Sequence, residues 1–168
     1  MHPYKKYMFI LISSFAFSLV VSGKSAAVSF EQTPACITTA FVQMQDKKEH
    51  NLMVEVANTN KKRARGLMER NSLGDFQGMI FIYPNAAVRG FWMFQTHIAL
   101  DIAYMNAEGE VLETLQMQPC ASRRSFECPS YAPKEPFTMA LEMAAGRFST
   151  LGITAGSQFN LGTCQRQE

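Results

Sequence analysis

The apolar residues of this chain come in short runs, and that limits the folds open to it. Leu52, Val54 and Val56 alternate with polar neighbours, and Met79–Tyr83, Leu100–Asn106, Val111–Met117 and Phe137–Met143 are brief apolar stretches closed by turn residues. Runs of this length predict strands. Asp46-Lys47-Lys48-Glu49 is a polar turn between Ile37–Met44 and His50–Ala57, so these two segments predict a β-hairpin. Gly90–Gln95 and Gln158–Leu161 read as further strands. Helical spacing is clear only over Asn60–Arg70, where Ala64, Leu67 and Met68 recur at i, i+3, i+4 behind an Asn58 or Thr59 cap. Gly66 sits inside that helix, and a close backbone approach would explain it. A second short helix is expected over Ala144–Leu151. The sum is an α+β, mainly β domain, a small curved or barrel-like sheet of about seven or eight short strands with one or two short helices.

The first 27 residues read as an address. Lys5 and Lys6 precede a mostly apolar stretch, Tyr7–Val21, and the small residues Ser22, Gly23, Ser25, Ala26 and Ala27 follow. That order predicts a secretory signal cleaved after Ala27, with Gly23 the alternative. Such a stretch spans only about 22 Å as a helix, short of a bilayer core. Residues 28–36 are then a loose leader and 37–168 one compact domain.

The whole chain has 168 residues, 16 basic and 14 acidic, for a formal charge of +2. Lys5, Lys6 and Lys24 leave with the signal, so 13 basic against 14 acidic residues give −1. A nearly neutral domain is not a general nucleic-acid binder. At 47% hydrophobic and 18% charged it is not a disordered one either.

Export makes the four cysteines an even set in an oxidising compartment. Of the three pairings, Cys120–Cys128 and Cys36–Cys164 are preferred. The first closes a short loop edged by Pro119 and Pro129, and the second ties the ends of the domain. No cysteine lies near His50 or His97 in the sequence, so a zinc site is not expected.

Five ordered blocks resemble a known family. Arg65-Gly66-Leu67-Met68-Glu69-Arg70, Gly78-Met79-Ile80-Phe81, then Phe91-Trp92-Met93 with Thr96 and Leu100-Asp101-Ile102 are similar to the motifs of the bacterial and archaeal domain of unknown function 192. Pro119-Cys120, Cys128 and Tyr131 resemble the cysteine-bearing loop of its exported members, and Leu141-Glu142, Ala145-Gly146 and Gly156 close the pattern. The resemblance implies a compact β-rich fold and no established activity. Phe94-Gln95 stands where Lys-Asn is common, and Ala99 where proline is common.

The chemical candidates are few. Asp101 and Glu142 each lie within an apolar strand, where an acid must face solvent, pair or accept hydrogen bonds. Either could serve as a general base, with His97 beside the distinctive block as a third candidate. The alternatives are a carboxylate at Asp101 that fixes the Thr96–Ala99 turn, and a turn-exposed His97. Arg65 or Arg70 could pair with Asp101 or Glu142, or bind an anion through the planar guanidinium. Met68, Met79, Met93, Met105 and Met117, with His97, raise a copper(I) idea, but their setting among Leu, Ile and Phe suits core filling. Trp92 is the single tryptophan, on a strand with Phe91, Met93 and Phe94, so one of its faces must be covered or form a groove.

These residues predict an exported, monomeric, non-catalytic module that binds a small molecule or envelope component, with no cofactor and no metal. Its groove would be built from Trp92, Phe94, Thr96 and Tyr131, with Arg65 as the polar anchor. A hydrolase or transferase using Asp101 is the alternative, and a copper or redox accessory protein the second.

Overall fold

The computed structural model describes residues 36–43, 49–74, 77–163 and 165–166, the stretches 36–43 and 165–166 as backbone only. The expected hairpin is present. Strand β1 (Cys36–Gln43) runs antiparallel to β2 (Glu49–Ala57), with Thr38 opposite Val54. The chain then passes through α1 (Asn60–Arg65) to β3 (Gly78–Ala87), which lies parallel to β2 with Val54 opposite Gly78. The next strands in space are not the next in sequence. β3 pairs with the late strand Phe137–Ala144, and that strand pairs in turn with Leu100–Met105, whose other neighbour is Val111–Met117.

In chain order these are β5 (Leu100–Met105), β6 (Val111–Met117) and β8 (Phe137–Ala144). Between them, β4 (Phe91–Trp92) and β7 (Ser130–Tyr131) form a separate two-stranded ribbon. Helix α2 (Arg147–Leu151) follows β8, and β9 (Gln158–Leu161) and β10 (Gln165–Arg166) both pair with the free edge of β1. The sheet order is β10-β1-β2-β3-β8-β5-β6, with β9 off this path. One isolated bridge, Glu110–Gln158, joins the β6 end to β9, and the Val111 N–H donates to the Ser157 carbonyl at 2.8 Å. The sheet curls until its ends touch without forming a continuous ladder between them, so it is curved and not a closed barrel.

Both faces of the sheet are packed. Leu52, Val54, Ile80, Leu141 and Met143 meet Phe148, Ile153 and Phe159 on one face. Met79, Phe81, Ile102 and Tyr104 meet Leu67, Phe91, Met93 and Phe137 on the other. Every residue of β5 is buried as a result, as expected of a strand covered on both sides. Met79, Met93, Met105 and Met117 are buried in this packing, Met105 on the first face and the other three on the second.

Helix α1 is shorter than the sequence spacing predicts. Thr59 caps it, its hydroxyl accepting the Lys62 N–H at 3.2 Å, and Gly66 ends it at φ 48°, ψ −134°. Ala64 is exposed, Leu67 is buried after the helix has ended, and Met68 is half-buried. The close approach expected of Gly66 is also there, since a Cβ would lie 3.4 Å from the Phe81 ring. Gly78 is tighter still, because a Cβ there would meet the Glu142 carbonyl oxygen at 2.3 Å. Helix α2 begins at Arg147 instead of Ala144, and β7 and β10 carry no signal in the sequence. Cys120 and Cys128 are disulfide-bonded, with Cα atoms 5.6 Å apart. The signal, nearly all of the leader and the Cys36–Cys164 pairing lie outside the described residues. No helix among the described residues is long and apolar enough to cross a membrane.

Candidate functional site

Three acids share one sequence setting and meet three fates. Val54-Glu55-Val56, Leu100-Asp101-Ile102 and Leu141-Glu142-Met143 each place a carboxylate between aliphatic residues on a buried strand. All three side chains are buried, at 7%, 6% and 5% exposure. A buried charge must be paired, hydrogen-bonded or neutralised.

Glu55 is paired. Both of its oxygens accept from Arg70, whose second bond, Nη2 to Oε2, is 2.9 Å long. This is the bidentate fork that a guanidinium offers a carboxylate. Asp101 is hydrogen-bonded. Its Oδ2 accepts the Phe148 backbone N–H at 3.1 Å and its Oδ1 accepts from Gln116 Nε2 at 3.2 Å. Asp101 is therefore anchored to backbone, but at α2 and not at the Thr96–Ala99 turn.

Glu142 has neither kind of partner. No side-chain hydrogen bond or ion pair reaches it among the described residues, and burial pushes its carboxyl up to about 8. Its strand neighbours are Met79 and Ile102. Leu141 and Met143 point to the first face, so Glu142 points to the second. Asp101 stands in register with Met143 and shares its face. The two acids thus lie on opposite sides of the sheet and form no acid/base pair.

Glu142 opens into a cleft of about 80 Å³ lined also by Arg63, Arg65, Leu67, Tyr83, Trp92 and Thr96. Three of the five predicted groove residues come together here. Arg65 stands at the rim, bonded to Glu69 at 2.9 Å. Trp92 is half exposed, at 51%, while its neighbour Phe91 packs inward against Phe81, Tyr104 and Phe137. Thr96 is buried. The other two do not line it. Phe94 is half-buried in the turn after β4, and Tyr131 faces Phe91 across the ribbon, its hydroxyl accepting the Gln118 N–H at 3.2 Å. The expected pairings of Arg65 or Arg70 with Asp101 or Glu142 are not made, since both arginines bind other acids. His97 is exposed in its turn.

Sequence reasoning missed Tyr83 and Arg63. Tyr83 ends the buried part of β3, and the guanidinium carbons of Arg63 and Arg89 lie 5.0 and 4.3 Å from its ring centroid. Burial raises the Tyr83 phenol above its ordinary pKa, and the two guanidinium charges oppose that rise. Tyr104, whose hydroxyl donates to the Tyr131 carbonyl at 2.9 Å, is raised by burial and then by the nearby Glu142. The signal for Arg63 was the basic run Lys61-Lys62-Arg63-Ala64-Arg65, which read equally well as a solvated helix face.

Gln95 precedes Thr96 in the chain and has φ 54°. Its carbonyl accepts the Glu69 N–H at 2.6 Å, which ties this turn to the segment after α1. Asparagine tolerates that left-handed conformation better than glutamine. Roomier hollows exist elsewhere, one of about 400 Å³ among Asn71, Leu73, Ile98 and Arg147. None of the residues lining that hollow is a buried acid, so the chemistry favours the smaller cleft.

Among solved structures, the chain is similar to a candidate transcription regulator from Sinorhizobium meliloti 1021, at 23% identity over 76% of this chain and 95% of that one, with a TM-score of 0.69. It is also similar to a protein of unknown function from Novosphingobium aromaticivorans DSM 12444, at 29% identity over 74% of this chain and 84% of that one, with a TM-score of 0.62. The first likeness is one of fold alone. A comparison with curated proteins returns no match. Residues 41–161 match the family described as an uncharacterized ACR, domain of unknown function 192. That match spans most of the chain, and this chain belongs to that family.

Proposed function

We propose that the protein is an exported, non-catalytic binding module whose ligand site is the cleft beneath Trp92. The observation that carries this reading is Glu142, a buried carboxyl with no side-chain partner among the described residues, in a cleft with a half-exposed tryptophan in its wall. A strongly perturbed titratable group in a cleft is a candidate for a functional site. Trp92 is the single tryptophan, so fluorine-labelled tryptophan gives one resonance that reports this site. Fragments carrying carboxylate, phosphate, amine or neutral polar groups on a phenyl ring should include at least one that shifts it at millimolar concentration. A resonance that none of them moves would reject the reading. Export rests on the signal-like residues 1–27 and accords with the Cys120–Cys128 disulfide. An exported product that begins at Val28 or Lys24 would support it, and an intact Met1 would not.

A second reading draws on the same acid. A carboxyl that keeps its proton to about pH 8 can act as a general acid. The cleft lining offers only the hydroxyls of Thr96 and Tyr83 as further reacting groups. Turnover of an ester or phosphoester abolished by Glu142→Gln would favour this reading over pure binding.

A further inference from the structure

The charges around the cleft select among ligands. Arg63 donates from Nη1 to the Ile82 carbonyl at 2.7 Å and from Nη2 to Asn60 Oδ1. Arg89 donates to Asn85 Oδ1 at 2.8 Å and to the Asn85, Ala87 and Phe137 carbonyls. Both stack on Tyr83, and among the described residues neither has a carboxylate partner. Arg63 thus lines the cleft and Arg89 lies behind Tyr83, and among the described residues both are met by neutral oxygens and aromatic rings. An ammonium ligand would face Arg63 with the Arg89 charge behind it, whereas an oxyanion would be drawn in.

We infer that the cleft takes an oxyanion, the carboxylate or phosphate of a small ligand. Arg63 meets its charge, the Glu142 carboxyl donates a hydrogen bond to one of its oxygens, and the rest of the ligand lies against Trp92. This inference rests on the binding reading above and names the chemistry of its ligand. A free volume of about 80 Å³ admits a group of a few heavy atoms, since a single water needs roughly 10–15 Å³ on this measure. The head group enters and the remainder stays over the exposed indole.

The acid must carry its proton to donate, and burial arranges that at neutral pH. The titratable and charged groups around it are Tyr83 on β3, Tyr104 on β5, and Arg63 and Arg65 on α1, with Arg89 behind Tyr83. Both phenols are raised above their ordinary pKa, so they stay neutral while Glu142 titrates. Loss of the Glu142 proton would place a negative charge against the bound oxyanion.

The test uses benzoate, phenyl phosphate, benzamide and benzylamine as probes of the labelled Trp92 resonance. Benzoate or phenyl phosphate should bind roughly tenfold or more tightly than benzamide, and Arg63→Met should weaken that binding by roughly tenfold. Affinity for the anion should fall as the pH rises through about 8. Glu142→Gln keeps a donor at every pH and should bind the anion with no such fall. The stronger of the two anions tells a carboxylate ligand from a phosphate one. Tightest binding by benzylamine, or a Glu142→Gln protein that keeps the wild-type pH dependence, would overturn the oxyanion and leave the binding site standing. Silence from all four probes would overturn both. If Arg63→Met does not fold, the pH comparison with Glu142→Gln still decides.

Discussion

The Asp101 carboxylate and the Phe148 backbone N–H, 47 residues apart, are joined by a hydrogen bond of 3.1 Å. Helix α2 is preceded by Gly146, which has no side chain to cap it. The first N–H groups of any helix lack partners within it, and here a carboxylate from β5 serves one of them. The same carboxylate holds Gln116 on β6. One acid thus ties the middle of the sheet to the helix that covers its first face.

Asp101→Asn should therefore destabilise the fold. The amide keeps one acceptor oxygen but turns an NH2 group toward a second donor. Hydrogen bonds to charged groups contribute about 1.5–3 kcal/mol, and a loss in that range is expected from urea denaturation. A midpoint at or above wild type would show that the carboxylate is not a cap.

Glu142 predicts a stability that depends on pH with a definite sign. Its folded pKa, about 8, lies above the 4.5 of a free glutamate. The folded state binds more protons than the unfolded state between these values, so stability is full below about 4.5 and falls as the pH rises toward 8. One proton gives a slope of about 1.4 kcal/mol per pH unit at most. Denaturation of Glu142→Gln across the same interval should lack this fall, and the variant should exceed wild type above about pH 8. Equal slopes in the two proteins would remove Glu142 as the cause.

Phe91 and Trp92 are neighbours on a two-residue strand, with opposite consequences for truncation. Phe91 is buried among three aromatic rings, so Phe91→Ala should cost about 3–5 kcal/mol. Trp92 is 51% exposed, and Trp92→Ala should cost less than about 1 kcal/mol. Tryptophan emission should be red-shifted and quenched by acrylamide. A blue, resistant emission would mean that the indole is covered.

Reduction of Cys120–Cys128 should lower stability by about 2.5 kcal/mol on the chain-entropy account. The loop it closes leads into β7, which pairs with Trp92 through Ser130. The Trp92 emission should therefore become easier to quench on reduction, before global unfolding. Unfolding curves with and without a reductant, followed by that emission, would check both effects.

The sequence was most legible where turn residues bound a strand on both sides. Val111–Met117 and Gln158–Leu161 match the observed strands, with Gly109 before the first and Gly156 before the second. Helix α1 was read too long because periodic spacing persists through Leu67 and Met68 although Gly66 has left helical backbone. In the site, Trp92, Thr96, Arg65 and Glu142 were legible as types in the right segments. Phe94 was misplaced because alternation was carried past Trp92, where β4 has already ended and the chain turns toward Gln95. Tyr131 was misplaced by register. It stands opposite Phe91 and so shares its inward side, while Ser130 stands opposite Trp92. Register between two-residue strands leaves no trace in a sequence. Nor could the separation of Asp101 from Glu142 be read, because it depends on β8 lying antiparallel to β5 with Met143 beside Asp101.

The position of β8 between β3 and β5 sets the order in which the chain can mature. Both neighbours are made earlier, and each presents an open hydrogen-bonding edge until residues 137–144 arrive to fill the gap. A nascent chain that stops short of Phe137 holds two half-sheets and no floor for the cleft, since Glu142 comes with the missing strand. Open edges of this kind invite pairing with other chains, and a pairing so distant in sequence is slow to form. The polypeptide therefore passes most of its synthesis unable to complete its core, and it depends on its open edges being shielded until about its last fifth is made.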